Sequence, residues 1–331
     1  MKLGVVDLAL SDMSTEQMLQ YTKGLGLGAV EIGAGCHPGE YHSKPEELLS
    51  DASKLREYKE LFKKYDTIIS ALSVHGNPVS PDKEQAAHSD YVFDRACRLA
   101  NELELDTVIT FSGCPGGSPQ DKMPNWVTCA WPNEYLQVLD YQWNDVLIPY
   151  WTKKAELAKS YGVTKIALEM HPGFCVYNTE TLLRLRNAVG STIGANFDPS
   201  HLIWQGIDPV ASIKEIGKAG AMFHFHAKDT KIDKYNTALN GVLDVKPYGD
   251  LVNRSWVFRS LGYGTSTEMW KEMVSALQLV GYNHVLSIEH EDSYMTTREG
   301  LEKAISFLKD IMIYEPKPGE AFWDNDISGK D

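Results

Sequence analysis

Eight short apolar segments, separated by amphipathic helical stretches, constrain the fold of this chain more than any other feature. The apolar segments lie at 2–8, 29–35, 68–76, 107–113, 165–171, 193–201, 222–229 and 285–292. A strand that alternates with a helix along the chain predicts a parallel sheet, because each crossover returns through a helix. Eight such units in 331 residues predict an α/β fold closed into a (β/α)8 barrel, the TIM barrel.

The barrel is predicted to span residues 1–312 as the catalytic domain, with a tail at 313–331. Two connections are long, from about 114 to 143 and from about 230 to 265. Each follows a strand and precedes a helix, so both should lie at the carboxyl ends of the strands, where TIM barrels keep their active sites. The tail contains an aromatic pair, Phe322 and Trp323, which is predicted to pack on the barrel or on a partner.

Charge and composition exclude several classes of partner. The formal net charge is −13, with no local basic patch, which disfavours nucleic acid and anionic membranes as partners. The five cysteines include no CxxC pair, so neither a disulfide framework nor a thiolate zinc site is predicted. The apolar start is interrupted by Asp7, and no signal peptide or membrane span is predicted. The expected location is the cytoplasm.

The stretch FHFHAKD, residues 223–229, alternates apolar and polar side chains. Side chains of a strand point to opposite faces with a period of two. Phe223 and Phe225 should therefore face the helices, while His224, His226 and Lys228 point into the barrel near its mouth.

Polar side chains in three further strands follow the same alternation. They are Glu169 and His171, Asn196 and Asp198, and Ser287, Glu289 and Glu291. Glu31 in the second strand and His75 at the end of the third lie on the polar face as well. Carboxylates that converge on one mouth need a cation or shared protons.

Four of these side chains come from four successive strands and are predicted to bind one divalent metal ion: Glu169, Asp198, His226 and Glu289. Three carboxylates and one imidazole suit Mn²⁺, Mg²⁺ or Co²⁺, and Zn²⁺ is also compatible. Such an ion polarises a substrate carbonyl or hydroxyl. Lys228 is predicted to stabilise an enolate oxygen, with simple neutralisation of the carboxylates as the alternative.

The order of these residues resembles the xylose-isomerase-like family of sugar isomerases and epimerases, over about residues 1–312. The matching pieces are D-x-x-H at 198–201, H-x-K-D at 226–229, and a glutamate on either side of them. The resemblance implies that the four residues bind one divalent ion, Mn²⁺ first among the candidates. It also implies that Glu169 and Glu289 move the proton and that His201 contacts the sugar.

The chain departs from the epimerases of that family at several positions. They carry a substrate arginine soon after the histidine strand, where this chain has Ile232. Arg254 or Arg259, in the second long connection, is the expected replacement. His171 adds an inward imidazole that would serve as a separate base.

Three further residues are predicted to contact the substrate: His75, His224 and Trp126. For each of them an interior or packing role is the alternative. No phosphate-binding loop is visible in the sequence, so an unphosphorylated sugar is expected.

The predicted function is a metal-dependent sugar isomerase or epimerase that abstracts a proton beside a carbonyl through an enediolate. The same family contains the large subunit of C-glycoside deglycosidases, lyases that cleave the C–C bond of 3-oxo-C-glycosides with a small partner subunit. That activity is the first alternative, and a non-catalytic sugar-binding subunit is the second. A related abasic-site endonuclease is disfavoured by the net charge of −13. A homo-oligomer and a small second subunit both stay open as partners.

Overall fold

A computed structural model describes residues 1–315 of the chain, so the aromatic pair predicted in the tail lies outside the described residues. Its ten strands are β1 (Lys2–Val6), β2 (Ala29–Gly33), β3 (Ile68–Ser73), β4 (Thr107–Phe111), β5 (Lys165–Glu169), β6 (Ile193–Phe197), β7 (Met222–Ala227), β8 (Asp229–Ile232), β9 (Trp256–Arg259) and β10 (Val285–Ile288). Eight of them close into a parallel barrel in sequence order, with β1 between β2 and β10. The predicted TIM barrel is confirmed.

The helices that surround the barrel are α1 (Thr15–Gly24), α2 (Pro45–Ser50), α3 (Ala52–Lys64), α4 (Lys83–Glu102), α5 (Glu134–Asp140), α6 (Ile148–Ser160), α7 (Thr179–Val189), α8 (Pro199–Trp204), α9 (Pro209–Lys218), α10 (Lys234–Asn240), α11 (Thr267–Leu279) and α12 (Thr297–Ile311). A capping box between Ser14 and Gln17 begins α1. Asp51 ends α2 and caps α3 by accepting hydrogen bonds from the backbone N–H groups of Ser53 and Lys54, so the two helices are separated by one residue. In the described residues, no helix has both the length and the apolar character that crossing a membrane requires.

The first long connection is shorter than the sequence predicts. Helix α5 begins at Glu134 and continues through a π-helical segment, Tyr141–Leu147, into α6. The prediction that the loop ends at about 143 is therefore wrong, because the helix begins about three turns earlier. Tyr135 and Leu136 are exposed in this helix, so the apolar periodicity that reveals an amphipathic helix is missing there.

The second long connection carries ordered structure over the strand ends. Strands β8 and β9 form an antiparallel hairpin with α10 inserted between them. Asp229 anchors the segment where it rejoins the barrel, because its carboxylate accepts hydrogen bonds from the backbone N–H groups of Gly264 and Thr265 and from Trp270 Nε1. The last residue of the H-x-K-D motif thus supports the fold of this insertion.

The expected orientation of Phe223 is wrong. Its ring packs against Ala71, Ile109 and Ala167, which form a small apolar cluster separate from the main core, whereas Phe225 packs with the helix-side residue Trp270. The pairing of β7 with β6 shifts between Met222 and His224. Because the strict period of two is interrupted at this irregularity, Phe223 does not share a face with Phe225.

Candidate functional site

Four strand ends bring the predicted metal ligands together. Glu169 is the last residue of β5, and Asp198 directly follows β6. His226 lies in β7, and Glu289 directly follows β10. One ligand atom from each of the four lies within 4.8 Å of all the others. The register of the parallel barrel therefore places these side chains at one point.

Asp198 is oriented by the helix that it begins. Its Oδ1 accepts a hydrogen bond from the backbone N–H of Ser200 at 2.8 Å, as the N-cap of α8. The other oxygen, Oδ2, is buried and points toward the cluster, where Lys228 Nζ lies 3.0 Å away. Capping thus uses one carboxylate oxygen and leaves the second for the cluster.

The ring of His226 contacts the carboxylate of Glu31, for which the sequence predicts no role in the site. Its Nε2 lies 2.8 Å from Glu31 Oε2, to which Ser287 Oγ also donates at 3.1 Å. Its Nδ1 faces Glu289 Oε2 at 3.1 Å and Glu169 Oε2 at 3.3 Å. The only sequence signal for Glu31 was its place on the polar face of β2.

The four residues fit a divalent cation. His226 Nδ1 is buried without a hydrogen-bond partner in residues 1–315, and buried Asp198 Oδ2 faces Lys228 Nζ at 3.0 Å and His201 Nε2 at 3.3 Å. A buried polar atom without a partner is costly, and a cation at the cluster would satisfy His226 Nδ1 and bind the same oxygen of Asp198. Three carboxylates and one imidazole are a donor set that Mn²⁺, Co²⁺ and Zn²⁺ accept.

Lys228 neutralises the same carboxylates. Its Nζ lies 2.7 Å from Glu289 Oε2, 2.8 Å from Glu291 Oε2 and 3.0 Å from Asp198 Oδ2. Burial disfavours the ammonium form, but the carboxylates, with Asp198 first among them, outweigh burial and hold the pKa of Lys228 well above its usual value. Lys228 therefore remains a protonated donor beside the ligands.

The carboxylates of the cluster differ in their pKa values. Burial opposes ionisation of Glu169, but hydrogen bonds to His201, His226 and His75 outweigh it and hold its pKa well below the usual value. Burial also opposes ionisation of Glu289, whose pKa is nevertheless lowered, mainly by Lys228 and then by His226. Both glutamates are therefore ionised at neutral pH.

The pKa of Asp198 is shifted upward, in contrast to those of the two glutamates. Burial raises its pKa, although neighbouring Lys228 and His201 oppose the shift.

Two histidines besides His226 contact Glu169, and His171 packs against one of them. His75 Nε2 is 2.9 Å from Glu169 Oε2, and His201 Nε2 is 3.2 Å from Oε1. The ring of His171 packs 4.0 Å from that of His201, and its Nδ1 donates to Pro172 O at 2.6 Å. Burial, with His201 second, lowers the pKa of His171 to about 3, so this imidazole is neutral at physiological pH.

A cavity of about 490 Å³ opens above the cluster. Its walls include seven of the residues that the sequence predicts for the site: His75, Glu169, His171, His201, Lys228, Arg254 and Glu289. This size suits a small polar ligand such as a sugar.

Three residues predicted to contact the substrate lie outside the cavity lining. His224 is fully buried beneath His226, with its Nδ1 3.0 Å from Asn196 Oδ1 and its Nε2 3.2 Å from Ser70 Oγ. Trp126 packs edge-to-face against Tyr177. Arg259 is paired through Nε with Asp292 Oδ2 at 3.1 Å.

The cavity is also lined by several residues for which the sequence predicts no contact with the substrate. Phe111 comes from the end of β4, and Tyr248, Val257 and Phe258 come from the insertion. Glu291, which follows Glu289 by two residues, reaches the cavity as well. The insertion residues have no periodic signal in the sequence, because their positions depend on how the hairpin folds over the barrel.

Comparisons with known proteins agree with this architecture. A family model described as "Xylose isomerase-like TIM barrel" matches residues 19–311. An uncharacterized protein of Bacillus subtilis (strain 168), YfiH, is 40% identical over 311 residues, which cover 93% of this chain and 98% of that protein.

Two solved structures superpose on most of the chain. The IOLI protein with a binding zinc atom has a TM-score of 0.64 at 21% identity, and a D-tagatose 3-epimerase-like protein has a TM-score of 0.62 at 20% identity. Each comparison covers 94% of this chain and 98% of the other. At these identities the two structures match this chain in fold.

Proposed function

We propose that this chain, which belongs to the xylose isomerase-like TIM barrel family, is an enzyme that isomerises or epimerises a sugar by moving a proton beside its carbonyl. The observation that carries the proposal is the convergence of ligand atoms of Glu169, Asp198, His226 and Glu289 within 4.8 Å of one another. Glu169 and Glu289 also line the cavity. Two of these residues are glutamates, which can exchange protons as well as bind a cation.

The proposed cofactor is one divalent cation, with Mn²⁺ as the first candidate and Mg²⁺, Co²⁺ and Zn²⁺ as others. When bound, such a cation supplies a Lewis acid that makes the hydrogen beside a carbonyl more acidic. The IOLI protein, which has a similar fold and a bound zinc atom, supports a metal ion as the cofactor. The donor set, with its carboxylate majority, favours the harder ions.

Glu169 and Glu289 are the proposed proton carriers. Both are ionised, because hydrogen bonds and neighbouring positive charges outweigh the effect of burial on each pKa. One of them would take the proton from the carbon beside the carbonyl, and the other would return one to the opposite face. Return to the same carbon gives an epimer, and return to the neighbouring carbon gives an isomer.

Lys228 and the histidines are proposed to stabilise the charge that develops on the substrate oxygen. Lys228 stays protonated beside Glu289, so its ammonium can donate to an enediolate oxygen. His201 and His75 both reach Glu169 and line the cavity, which suits them to bind sugar hydroxyls. His171, neutral and next to His201, is a candidate for a separate base.

A second candidate function is a carbon–carbon lyase that works with a small partner subunit, as in C-glycoside deglycosidases. The observation that favours it is a set of exposed apolar side chains on the two long connections. They are Met123, Trp131, Leu239, Leu243, Val245 and Val252. Exposed apolar surface of this kind often marks a protein interface. Proton abstraction from a substrate with a leaving group β to the carbonyl leads to elimination.

Proton exchange in D2O tests the proposed function. The full chain with Mn²⁺ is incubated with ketoses, 3-oxo-glucose and a 3-oxo-C-glycoside, and each C–H signal is followed by NMR. We expect loss of one C–H signal that requires the metal and is abolished by EDTA and by Glu289→Gln. The substrate that exchanges distinguishes the isomerase from the lyase.

A result without exchange in any substrate, with metal binding confirmed, would contradict the proposal. Tight sugar binding by the metal-free protein, together with that result, would instead support a sugar-binding subunit.

A further inference from the structure

Arg254 is a buried cation that has no carboxylate partner among residues 1–315. The residue is 2% exposed and lies in the insertion, two residues before β9. Its Nε donates to Trp256 O at 3.1 Å, and its Nη1 donates to Lys246 O. Its Nη2 makes no hydrogen bond within the described residues. The guanidinium therefore keeps both its charge and a free donor group.

Aromatic side chains hold this guanidinium in place. Its Cζ lies 4.5 Å from the ring centroids of both Tyr248 and Trp256. Trp256 in turn stacks on Trp204 of α8, with ring centroids 4.4 Å apart and planes at 7°. Asp198, a proposed metal ligand, is the N-cap of α8. Helix α8 therefore connects the carboxylate cluster to the tryptophan that packs on Arg254.

The charge of Arg254 is the uncompensated one in the cavity. The lysine and arginine residues that line the cavity are Lys228 and Arg254. Lys228 is matched by three carboxylates within 3.0 Å of its Nζ, whereas Arg254 has none. Burying a charge without an opposite charge beside it is unfavourable, so a counterion for Arg254 is expected from the ligand.

We infer that the substrate carries an anionic group, a carboxylate or a phosphate, which binds Arg254 while the carbonyl end lies at the carboxylate cluster. This inference rests on the proposed function, because it names the class of sugar on which that site acts. Lys228 Nζ lies 4.7 Å from the ring of Phe258, which stacks on Tyr248 at 5.8 Å. A sugar acid or sugar phosphate would thus extend along these rings from the cluster to Arg254.

Matched pairs of neutral and anionic probes test the inference. The pairs are fructose with fructuronate, fructose with fructose 6-phosphate, and sorbitol with gluconate, each titrated against the full chain with Mn²⁺. We expect the anionic member of at least one pair to bind about 10- to 100-fold more tightly, the range of a hydrogen bond to a charged group. The first and third pairs report on a carboxylate and the second on a phosphate.

The Arg254→Met variant should reduce that affinity ratio to about one. Arg254→Lys should give an intermediate ratio, because an ammonium group cannot donate the two parallel hydrogen bonds that a guanidinium donates to an anion. The ratio is taken within one protein preparation, so a partly misfolded variant does not mimic the result. Arg184→Met is the control: its guanidinium also stacks on a ring, that of Trp143 at 4.0 Å, but lies outside the cavity lining.

Equal binding of both members of every pair, including no detectable binding of any probe, would overturn the inference. A ratio that survives in Arg254→Met would overturn it too, because the anion would then bind elsewhere, for example at the metal. The proposed function can fail separately. Charge-dependent binding without C–H exchange would support the role of Arg254 and contradict the isomerase or epimerase activity.

Discussion

The Nε2 atom of His226 lies 2.8 Å from Glu31 Oε2, on the side of the ring opposite the carboxylate cluster. A neutral imidazole, the form that binds a metal ion, presents Nδ1 as an acceptor when it donates Nε2–H to a carboxylate. That atom faces Glu169 and Glu289 and has no hydrogen-bond partner among the described residues. Glu31 thus selects the tautomer that can bind a cation.

Glu31→Gln is expected to weaken binding of Mn²⁺ by about 10- to 100-fold, the usual effect of removing a carboxylate behind a histidine ligand. The measurement is calorimetric titration of the metal-free protein. Asp7→Asn is the matched control, because Asp7 Oδ2 pairs with His42 Nδ1 at 2.9 Å but neither residue is among the four ligands. Equal affinities in the wild type and Glu31→Gln would remove Glu31 from this role.

Lys228→Met is expected to destabilise the metal-free protein more than the metal-loaded one. Loss of the ammonium leaves buried carboxylates without compensation, which costs about 3–5 kcal/mol in the free energy of unfolding. Excess Mn²⁺ should restore most of that loss, because the cation supplies positive charge at the same carboxylates. Thermal unfolding with EDTA and with Mn²⁺ measures the difference.

Lys154→Met serves as the control for that experiment. Lys154 is also buried and bridges two carboxylates, Asp90 at 2.7 Å and Asp94 at 2.5 Å, neither of which belongs to the proposed ligands. Its loss should cost the same stability with and without metal. The role of Lys228 would be refuted by an equal deficit in both conditions.

The stability of the metal-free protein should fall as the pH decreases below about 6.5. Burial lowers the pKa of both His224 and His171 to about 3. Between the unfolded value of about 6.5 and 3, the unfolded chain therefore binds a proton at each of these histidines that the folded chain does not. One such proton contributes at most about 1.4 kcal/mol per pH unit.

The ¹⁵N shifts of the His224 ring test the cause directly. They should report a neutral imidazole at pH 5 in the folded protein, and His224→Gln should make the dependence of stability on pH less steep, while the contribution of His171 remains. A ring that titrates near pH 6.5 would contradict the expectation.

Trp256→Ala is expected to loosen the insertion while leaving the metal site intact. Trp256 is 3% exposed and packs with Trp204 and Phe258, and removing a buried tryptophan costs about 3–5 kcal/mol. Limited proteolysis should cut the variant faster within residues 234–252, and its affinity for Mn²⁺ should match the wild type. Unchanged proteolysis would show that other contacts hold the insertion.

Local patterns in the sequence were sufficient for the barrel and for the four proposed ligands. Alternation of strands and helices determines the barrel, because each parallel crossover must bury the apolar face of both elements. The period of two placed Glu169, Asp198, His226 and Glu289 on the inward side of successive strand ends. Those residues then meet because parallel strands in register carry their carboxyl ends to one rim.

Tertiary structure alone decided the rest of the site. The irregularity in β7 that turns Phe223 away from Phe225 depends on the pairing with β6, which no local pattern reports. The contact of Glu31 with His226 joins residues 195 positions apart. Arg254 reaches the cavity, while Arg259 pairs with Asp292, because the hairpin packs through Trp204 and Trp256. Such contacts depend on how distant segments pack in three dimensions, so periodicity along the chain cannot predict them.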